Sequence, residues 1–182
     1  MHELILGGRR SGKSRCAESR ARQWLQVSDR RALLIATALP ADQEMRDRIA
    51  RHRLERSRLL PALETQEVPR ELPQALRELP APDRLVVVDC LTLWLTQQLM
   101  PLQGPGLSDA AWEQQQQELC LALRAAAGPV VLVSNEIGLG VAPLGQEVRR
   151  YLDALGTLHQ RVAAACERVT LMVAGMELRV KA

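Results

Sequence analysis

The segment between residues 4 and 25 constrains the fold more than any other part of the chain. Its loop, Gly7-Gly8-Arg9-Arg10-Ser11-Gly12-Lys13-Ser14, fits the pattern G-x-x-x-x-G-K-[ST]. In this pattern the backbone N–H groups of a glycine-rich turn surround phosphate oxygens at a helix N-terminus. An apolar run precedes the loop and a helical pattern follows it, as a phosphate-binding site requires. The segment therefore predicts a strand, a phosphate-binding loop and a helix in succession.

The lysine of this loop stands out against the rest of the chain. Of the 24 lysine and arginine residues, only Lys13 and Lys181 are lysine. A lysine supplies a compact point charge on a flexible stem, which the planar guanidinium of arginine does not. We expect Lys13 to reach the β- and γ-phosphates of a nucleotide and the Ser14 hydroxyl to ligate Mg²⁺. The alternative is a basic turn without a ligand.

Short apolar runs alternate with longer helical patterns along the whole chain, which indicates an α/β fold with a mostly parallel sheet and helices on both faces. We treat residues 1–182 as a single domain. The predicted strands are residues 3–6, 32–37, 84–89, 130–134, 169–174 and 178–181, and we expect them to be buried on both sides. The predicted helices are residues 14–25, 43–57, 91–99, 109–126 and 146–167.

Composition narrows the class of function. Aromatic residues make up 2% of the chain and phenylalanine is absent, so we expect a core of Leu, Val, Ala and Ile. Few rings are available for base stacking, and the net charge of +3 is mild, so we expect no nucleic-acid partner. No apolar run approaches the roughly 18 residues of a membrane span. The four cysteines form no C-x-x-C pair. We expect a reduced, cytoplasmic protein without zinc.

The run of residues 84–95, RLVVVDCLTLWL, is an apolar strand that ends in an acid. In proteins with a phosphate-binding loop, an aspartate at the carboxyl end of a neighbouring strand supports Mg²⁺. Asp89 is therefore our candidate metal residue, together with Ser14. The alternative is that Asp89 is the N-cap of the helix that begins at Leu91.

The run of residues 36–57 turns at Pro40 and continues as a helix, with Asp42 as a plausible N-cap. Met45, Ile49 and His52 lie at i, i+4 and i+7, on one face of this helix. From the pattern alone, His52 is more often a packed or surface residue than a catalytic one.

Polar residues follow the apolar run of residues 130–133. Ser134, Asn135 and Glu136 would emerge at the same sheet edge as the phosphate loop. A functional role and a simple turn both remain open for them.

The motifs of this chain, taken in order, identify it as similar to one family. They are GG-R-R-SGKSR-AE, IATA with QEMRDRI-RH, T-Q-E-V-P, VVVDCLTLWLT, VSNEIGLGVAP and GTLHQRVAAACERVTLMVAG. Together they resemble the bifunctional adenosylcobinamide kinase / adenosylcobinamide-phosphate guanylyltransferase family of cobalamin biosynthesis. The resemblance covers nearly the whole chain.

This resemblance implies a RecA-like P-loop NTPase fold, a homotrimer and two reactions on a corrinoid. The first phosphorylates the aminopropanol hydroxyl of adenosylcobinamide with ATP or GTP. The second transfers GMP from GTP to adenosylcobinamide phosphate and releases pyrophosphate, through a guanylylated histidine that the R-I-x-x-H pattern assigns to His52. Besides Lys13 and the loop residues, the resemblance implies guanine-nucleotide contacts at Ala36, Thr37, Ala38, Arg53, Leu54, Glu55, Arg56, Glu67 and Asp89.

Two other functions remain open at this point. One is a plain small-molecule kinase that uses the phosphate loop and never modifies His52. The other is a non-catalytic RecA-like module that binds a nucleotide and a macromolecule.

Overall fold

The computed structural model describes residues 1–141 and 143–182, so Ala142 of the VSNEIGLGVAP motif lies outside the described residues. The strands are β1 (His2–Gly7), β2 (Arg31–Ala36), β3 (Leu63–Glu67), β4 (Arg84–Asp89), β5 (Val130–Val133), β6 (Arg168–Val173) and β7 (Met176–Lys181). The helices are α1 (Lys13–Trp24), α2 (Gln43–Leu59), α3 (Leu72–Glu78), α4 (Leu91–Leu99), α5 (Asp109–Ala125) and α6 (Gln146–Ala165).

All seven strands form one sheet in the order β3-β2-β4-β5-β1-β6-β7. Neighbouring strands are parallel except for β7, which pairs antiparallel with β6. The expected mostly parallel sheet is therefore confirmed. None of the helices in the described residues is long and apolar enough to span a membrane.

Successive strand residues point to opposite faces and build two separate cores, because side chains alternate along a strand. Leu4 packs with α3, α4, α5 and α6 on one face, whereas Ile5 packs with α1 on the other. In β4 the same alternation separates Val86 and Val88 from Val87. The sheet is thus covered on both faces, as the near-continuous apolar runs predicted.

The core is chiefly aliphatic, as expected, but it also contains two tryptophans. Trp94 is fully buried, and its ring centroid lies 5.2 Å from that of Trp112. The indole N–H of Trp94 donates to the carbonyl of Arg70 at 2.8 Å. A core of Leu, Val, Ala and Ile alone was therefore too narrow an expectation.

The expectation that every predicted strand is buried on both sides was wrong for β7. Each residue of β7 is exposed, because β7 is the edge strand beyond β6. Two further elements, β3 and α3, were not predicted. Strand β3 has the polar sequence LETQE at the other edge of the sheet, and α3 has only seven residues.

Candidate active site

The carboxyl ends of β1, β2, β3, β4 and β5 open into one cleft of about 1060 Å³. Parallel strands end at the same edge of a sheet, which is why the loops that follow them meet there. The cleft is bounded by the loop after β1, the first turns of α1, and one face of α2. Most of the residues singled out in the sequence lie around it.

The phosphate loop connects β1 to α1 in a conformation that glycine makes accessible. Gly12 is the N-cap of α1 and has φ 101°, a region that residues with a Cβ rarely adopt. A Cβ on Gly7 would lie 2.6 Å from the carbonyl oxygen of Met172 in β6. The first N–H groups of α1 therefore face the cleft from a glycine cap, the arrangement that binds anions at helix N-termini.

The turn between β6 and β7 supports this loop from the other side. Ala174 and Gly175 both have positive φ, and the Gly175 N–H donates to the carbonyl of Ser11 at 3.0 Å. Both turn residues line the cleft. We did not predict this contact, because nothing near residue 175 in the sequence points to a loop so far away along the chain.

Lys13 is buried at the base of the cleft, with 7% of its surface exposed. Its Nζ donates to the carbonyl of Gly8 at 2.7 Å, within the loop. Burial lowers the pKa of Lys13, and the negative charge of Asp89 is among the groups that oppose this shift. A lysine held in this way presents its charge where phosphate oxygens would bind the loop.

Ser14 and Asp89 meet across the cleft. The Ser14 hydroxyl in the first turn of α1 donates to the Asp89 carboxylate at the end of β4, at 2.9 Å. The N-cap of α4 is Cys90 rather than Asp89, so the structure does not support the capping alternative. A hydroxyl and a carboxylate side by side are oxygen donors of the kind Mg²⁺ prefers, so these residues fit the predicted cation.

Helix α2 presents its partly buried face to the cleft. Met45, Ile49, His52 and Arg56 all line the cleft, at the helical spacing predicted for the first three. The Asp42 side chain accepts from the Met45 N–H at 2.7 Å, which confirms Asp42 as the N-cap. Every residue of α2 is at least partly exposed, so no deep packing holds this helix in place. His52 is thus an accessible imidazole in the same cleft as Lys13.

The cleft is strongly cationic. Seven arginines and Lys13 face five carboxylates around it; the arginines are Arg9, Arg10, Arg15, Arg48, Arg51, Arg53 and Arg56. Among the carboxylates, Glu44 pairs with Arg9 at 3.5 Å, and Glu67 pairs with Arg53. Cationic walls of this kind raise the local concentration of an anionic ligand such as a nucleoside triphosphate.

Glu18 is a cleft residue that we did not single out in the sequence. It lies on α1 one helical turn after Ser14, and it is half-buried. Burial raises the pKa of its carboxyl, and the positive charge of Arg56 opposes this. The i, i+4 spacing from Ser14, within the string SRCAE, was the signal that could have identified it.

The structure brings most of the predicted site residues together. Those lining the cleft are Arg9, Arg10, Ser11, Gly12, Lys13, Ser14, Ala36, Ala38, His52, Arg53, Glu55, Arg56, Glu67 and Asp89. Gly7, Gly8, Thr37 and Leu54 do not line it. Thr37 is fully buried, and its hydroxyl donates to the Cys90 carbonyl at 2.7 Å and accepts from the Cys90 N–H at 2.8 Å. Its side chain therefore fixes the position of Cys90, the residue that follows Asp89.

Asn135 also lines the cleft, two residues beyond the end of β5. Its neighbours Ser134 and Glu136 are among the polar residues for which a role was left open. They contact α4, α6 and the phosphate loop.

Comparison with known proteins shows the same family along the whole chain. Residues 3–180 match the model of the family described as cobinamide kinase / cobinamide phosphate guanyltransferase. The bifunctional adenosylcobalamin biosynthesis protein CobP of Pseudomonas aeruginosa is 46% identical over 183 residues, covering 100% of this chain and 98% of that relative. The corresponding protein CobU of Salmonella typhimurium is 35% identical over 187 residues, covering 98% of each chain.

A solved structure supports the fold. The flagellar accessory protein FlaH from Methanocaldococcus jannaschii matches with a TM-score of 0.50 and 12% identity, over 99% of this chain and 77% of that one. At this identity the likeness concerns the fold alone. The sheet, the loop and this likeness are those of a RecA-like P-loop NTPase.

Proposed function

Because the chain belongs to the cobinamide kinase / cobinamide phosphate guanyltransferase family of cobalamin biosynthesis, we propose that it performs both reactions in this one cleft. In the first, the hydroxyl of adenosylcobinamide attacks the γ-phosphorus of ATP or GTP, and the nucleoside diphosphate leaves. In the second, His52 and adenosylcobinamide phosphate act in turn on the α-phosphorus of GTP. The product is adenosylcobinamide-GDP.

The observation that supports this proposal is that His52 and the phosphate loop line one cleft. Both His52 and Lys13 line the same cleft, so a triphosphate held by the loop lies within the space that the imidazole faces. Helix α2 is capped by Asp42 and each of its residues is at least partly exposed, which suits a helix that presents side chains to the cleft rather than filling a core. A module that only binds a nucleotide would not account for the family to which the chain belongs.

For the kinase reaction we propose that Lys13 and the N–H groups of α1 hold the triphosphate. The ammonium of Lys13 offsets the negative charge that develops on the transferring and leaving oxygens. Ser14 and Asp89 would hold Mg²⁺, which supplies charge neutralisation between the phosphates when it is bound.

The two reactions consume ATP and GTP, and we propose that they take place in the cytoplasm, where both are made.

For guanylyl transfer we propose that an imidazole nitrogen of His52 attacks the α-phosphorus of GTP. A P–N bond forms, the bond to the bridging oxygen breaks, and pyrophosphate leaves with that electron pair. An oxygen of adenosylcobinamide phosphate then attacks the same phosphorus and the P–N bond breaks. A neutral imidazole is a competent nucleophile near pH 7, and this route replaces one difficult displacement with two easier ones.

We further propose that the guanine nucleotide contacts the surfaces formed by residues 36–38, residues 53–56 and Glu67. Ala36 ends β2 and Ala38 follows it by two residues; both are small and leave room beside the cleft. Arg53 and Glu67, which pair with each other, offer both a cation and a carboxylate at that end. A carboxylate can accept hydrogen bonds from the N1–H and the 2-amino group of guanine, both of which adenine lacks.

Labelling of the protein by GTP tests the covalent step. We expect label from α-³²P GTP to remain on denatured protein and label from γ-³²P GTP to be lost, with a bond that is acid-labile and base-stable. His52→Asn should lose the label and guanylyl transfer but keep kinase activity, because the acceptor there is the cobinamide hydroxyl. His2→Asn is the matched control and should keep the label. An unlabelled parent protein that still phosphorylates adenosylcobinamide would support a plain kinase instead.

We also propose that the protein is a homotrimer, as the family resemblance implies. Large apolar side chains remain exposed on the loop after β5, with Val141 98% and Leu144 97% exposed, which is compatible with a further protein surface covering them. Sedimentation equilibrium at micromolar concentration should give three times the chain mass of 20.2 kDa. A mass of one chain across that range would contradict this assembly.

A further inference from the structure

Asn135 follows the central strand β5, at the edge of the sheet where Asp89 and the phosphate loop also lie. Strand β5 lies between β4 and β1, and Val133 pairs with Asp89 on one side and with Ile5 on the other. The chain beyond Val133 must therefore pass between Asp89 and the phosphate loop. The Glu136 N–H donates to the Gly7 carbonyl at 2.9 Å, which fixes this path against the loop.

A chain of hydrogen bonds leads to Asn135 from the face of the sheet that α4 and α6 cover. The Ser134 hydroxyl is fully buried and lies 2.7 Å from Nε2 of His159, in α6. The same hydroxyl lies 3.0 Å from the hydroxyl of Thr92, in α4. The Thr92 hydroxyl accepts from the backbone N–H of Asn135 at 2.8 Å, which leaves the side-chain amide of Asn135 free of this bond. Helices α4 and α6 thus hold Ser134 and Asn135 in place through hydrogen bonds.

The direction of these hydrogen bonds follows from the groups at each end. The Glu136 carboxylate lies 3.6 Å from Nδ1 of His159, so the ring proton belongs at Nδ1. Burial lowers the pKa of His159, although the Glu136 carboxylate opposes this shift, and in the neutral ring Nε2 is an acceptor. The Ser134 hydroxyl then donates to Nε2, the Thr92 hydroxyl donates to Ser134, and the backbone N–H of Asn135 donates to Thr92. Each hydroxyl donates once and accepts once.

We propose that His159 is a positioning residue for phosphoryl transfer, which acts through Ser134 and Thr92 to hold Asn135 so that its side-chain amide donates to an oxygen of the transferring γ-phosphoryl group. This inference rests on the proposed kinase function. Asn135 is the residue that touches substrate, and His159 lies behind it without facing the cleft. A preorganised neutral donor stabilises charge that develops in the transition state without reorganising during the reaction.

Steady-state phosphorylation of adenosylcobinamide by four variants tests this assignment. We expect His159→Leu and Asn135→Ala each to lower kcat about tenfold, with the KM for ATP changed less than about threefold, because a transition-state contact is lost. His159→Gln should restore kcat to within about threefold of the parent, because its amide can still bond Ser134. The double variant Asn135→Ala/His159→Leu should be no slower than Asn135→Ala, because both substitutions remove the same contact.

Labelling of His52 by α-³²P GTP is measured in the same variants. A variant that takes up the label is folded and binds a triphosphate in the cleft, so its lower kinase kcat is not a failure to fold. An unchanged kcat in His159→Leu, or a double variant whose losses multiply, would overturn the positioning role. So would a defect that His159→Gln does not reverse, because that would be a packing effect. If the parent itself forms no cobinamide phosphate, the proposed kinase function fails and this inference fails with it, which distinguishes that result from a defect confined to the variants.

Discussion

At the scale of single residues, Lys13 differs from the other cations of the cleft because it is buried. Lys13→Arg keeps the charge but places a planar, bulkier group under a loop whose glycines already approach β6 closely. We expect kcat/KM for ATP and for GTP to fall by about 100-fold or more, since a donor to developing phosphate charge is displaced. Lys181→Arg, the same change at the other lysine, should have no effect. Near-normal turnover of Lys13→Arg would overturn the role assigned to the loop.

Asp89 is expected to act through its charge rather than through its shape. Asp89→Asn keeps a hydrogen-bond acceptor for the Ser14 hydroxyl but removes the negative charge. We expect activity at limiting Mg²⁺ to fall by about tenfold or more and to recover partly when Mg²⁺ is raised, because cation affinity is what is lost. The control is Asp83→Asn, which changes an exposed aspartate paired with Arg31 before β4. Equal rates for Asp89→Asn and the parent across the Mg²⁺ titration would exclude a metal role.

The residues of the site were predictable to the extent that their chemistry is encoded locally. The loop and its lysine could be located from eight consecutive residues, and Asp89 from the strand it ends. His52 was located by resemblance, since a single histidine at the end of an apolar helix face is uninformative. The link between Ser134 and His159 was not predictable, because it joins residues 25 positions apart that only the packing of α6 on the sheet brings together.

At the scale of elements, α2 depends on its N-cap more than the buried helices do. Because every residue of α2 is at least partly exposed, little packing opposes fraying of its first turns. Asp42→Ala removes the side-chain bond to the Met45 N–H, a loss of about 1 kcal/mol of helix stability. We expect faster amide exchange in α2 and slower guanylylation of His52, by about twofold to fivefold for that loss, with kinase activity retained.

Asp42→Asn is the matched control for this prediction, since asparagine caps about as well as aspartate. Its exchange rates and its rate of guanylylation should resemble those of the parent. If Asp42→Ala left both rates unchanged, α2 would be held by contacts other than its cap.

Elements were predictable from the sequence where burial imposes a pattern. The central strands β1, β2, β4, β5 and β6 are near-continuous apolar runs, because helices cover both their faces. The edge strands do not carry that pattern: β3 was missed and β7 was assigned the wrong burial. Helix α3 was missed because it has seven residues with a proline in its first turn, too few to show a helical period.

At the scale of the whole molecule, a buried ionic cluster ties the phosphate-loop helix to the sheet. Glu3 in β1 is almost completely buried, and it accepts from Arg20 of α1 at 2.9 Å and from the Thr170 hydroxyl at 2.7 Å. Arg20 also donates to Glu177 of β7 at 2.6 Å. One arginine thus connects α1 with a central and an edge strand. The orientation of the loop at the other end of α1 follows from this anchoring as well as from the apolar core.

The same buried interior makes stability depend on pH, and His159 provides the clearest test. Burial lowers the pKa values of His2 and His159 in the folded protein, and the unfolded chain therefore binds protons first as the pH falls below about 6.5. The free energy of unfolding should then decrease from pH 7.5 to pH 5.5, by at most about 1.4 kcal/mol per pH unit for each histidine. Glu18, whose pKa burial raises, acts in the opposite direction, so the contribution of one histidine is best isolated with a variant.

His159→Gln keeps a partner for the Ser134 hydroxyl but cannot titrate in this range. Urea unfolding of the parent and of this variant, followed at pH 7.5, 6.5 and 5.5, should show a smaller decrease in the free energy of unfolding for the variant. The free energy of unfolding decreases because the unfolded chain binds a proton at this histidine while the folded protein keeps the ring neutral. Parallel curves for the two proteins would mean that His159 takes up its proton as readily in the folded protein as in the unfolded chain. That outcome would also remove the reason for treating Nε2 as an acceptor of the Ser134 hydroxyl.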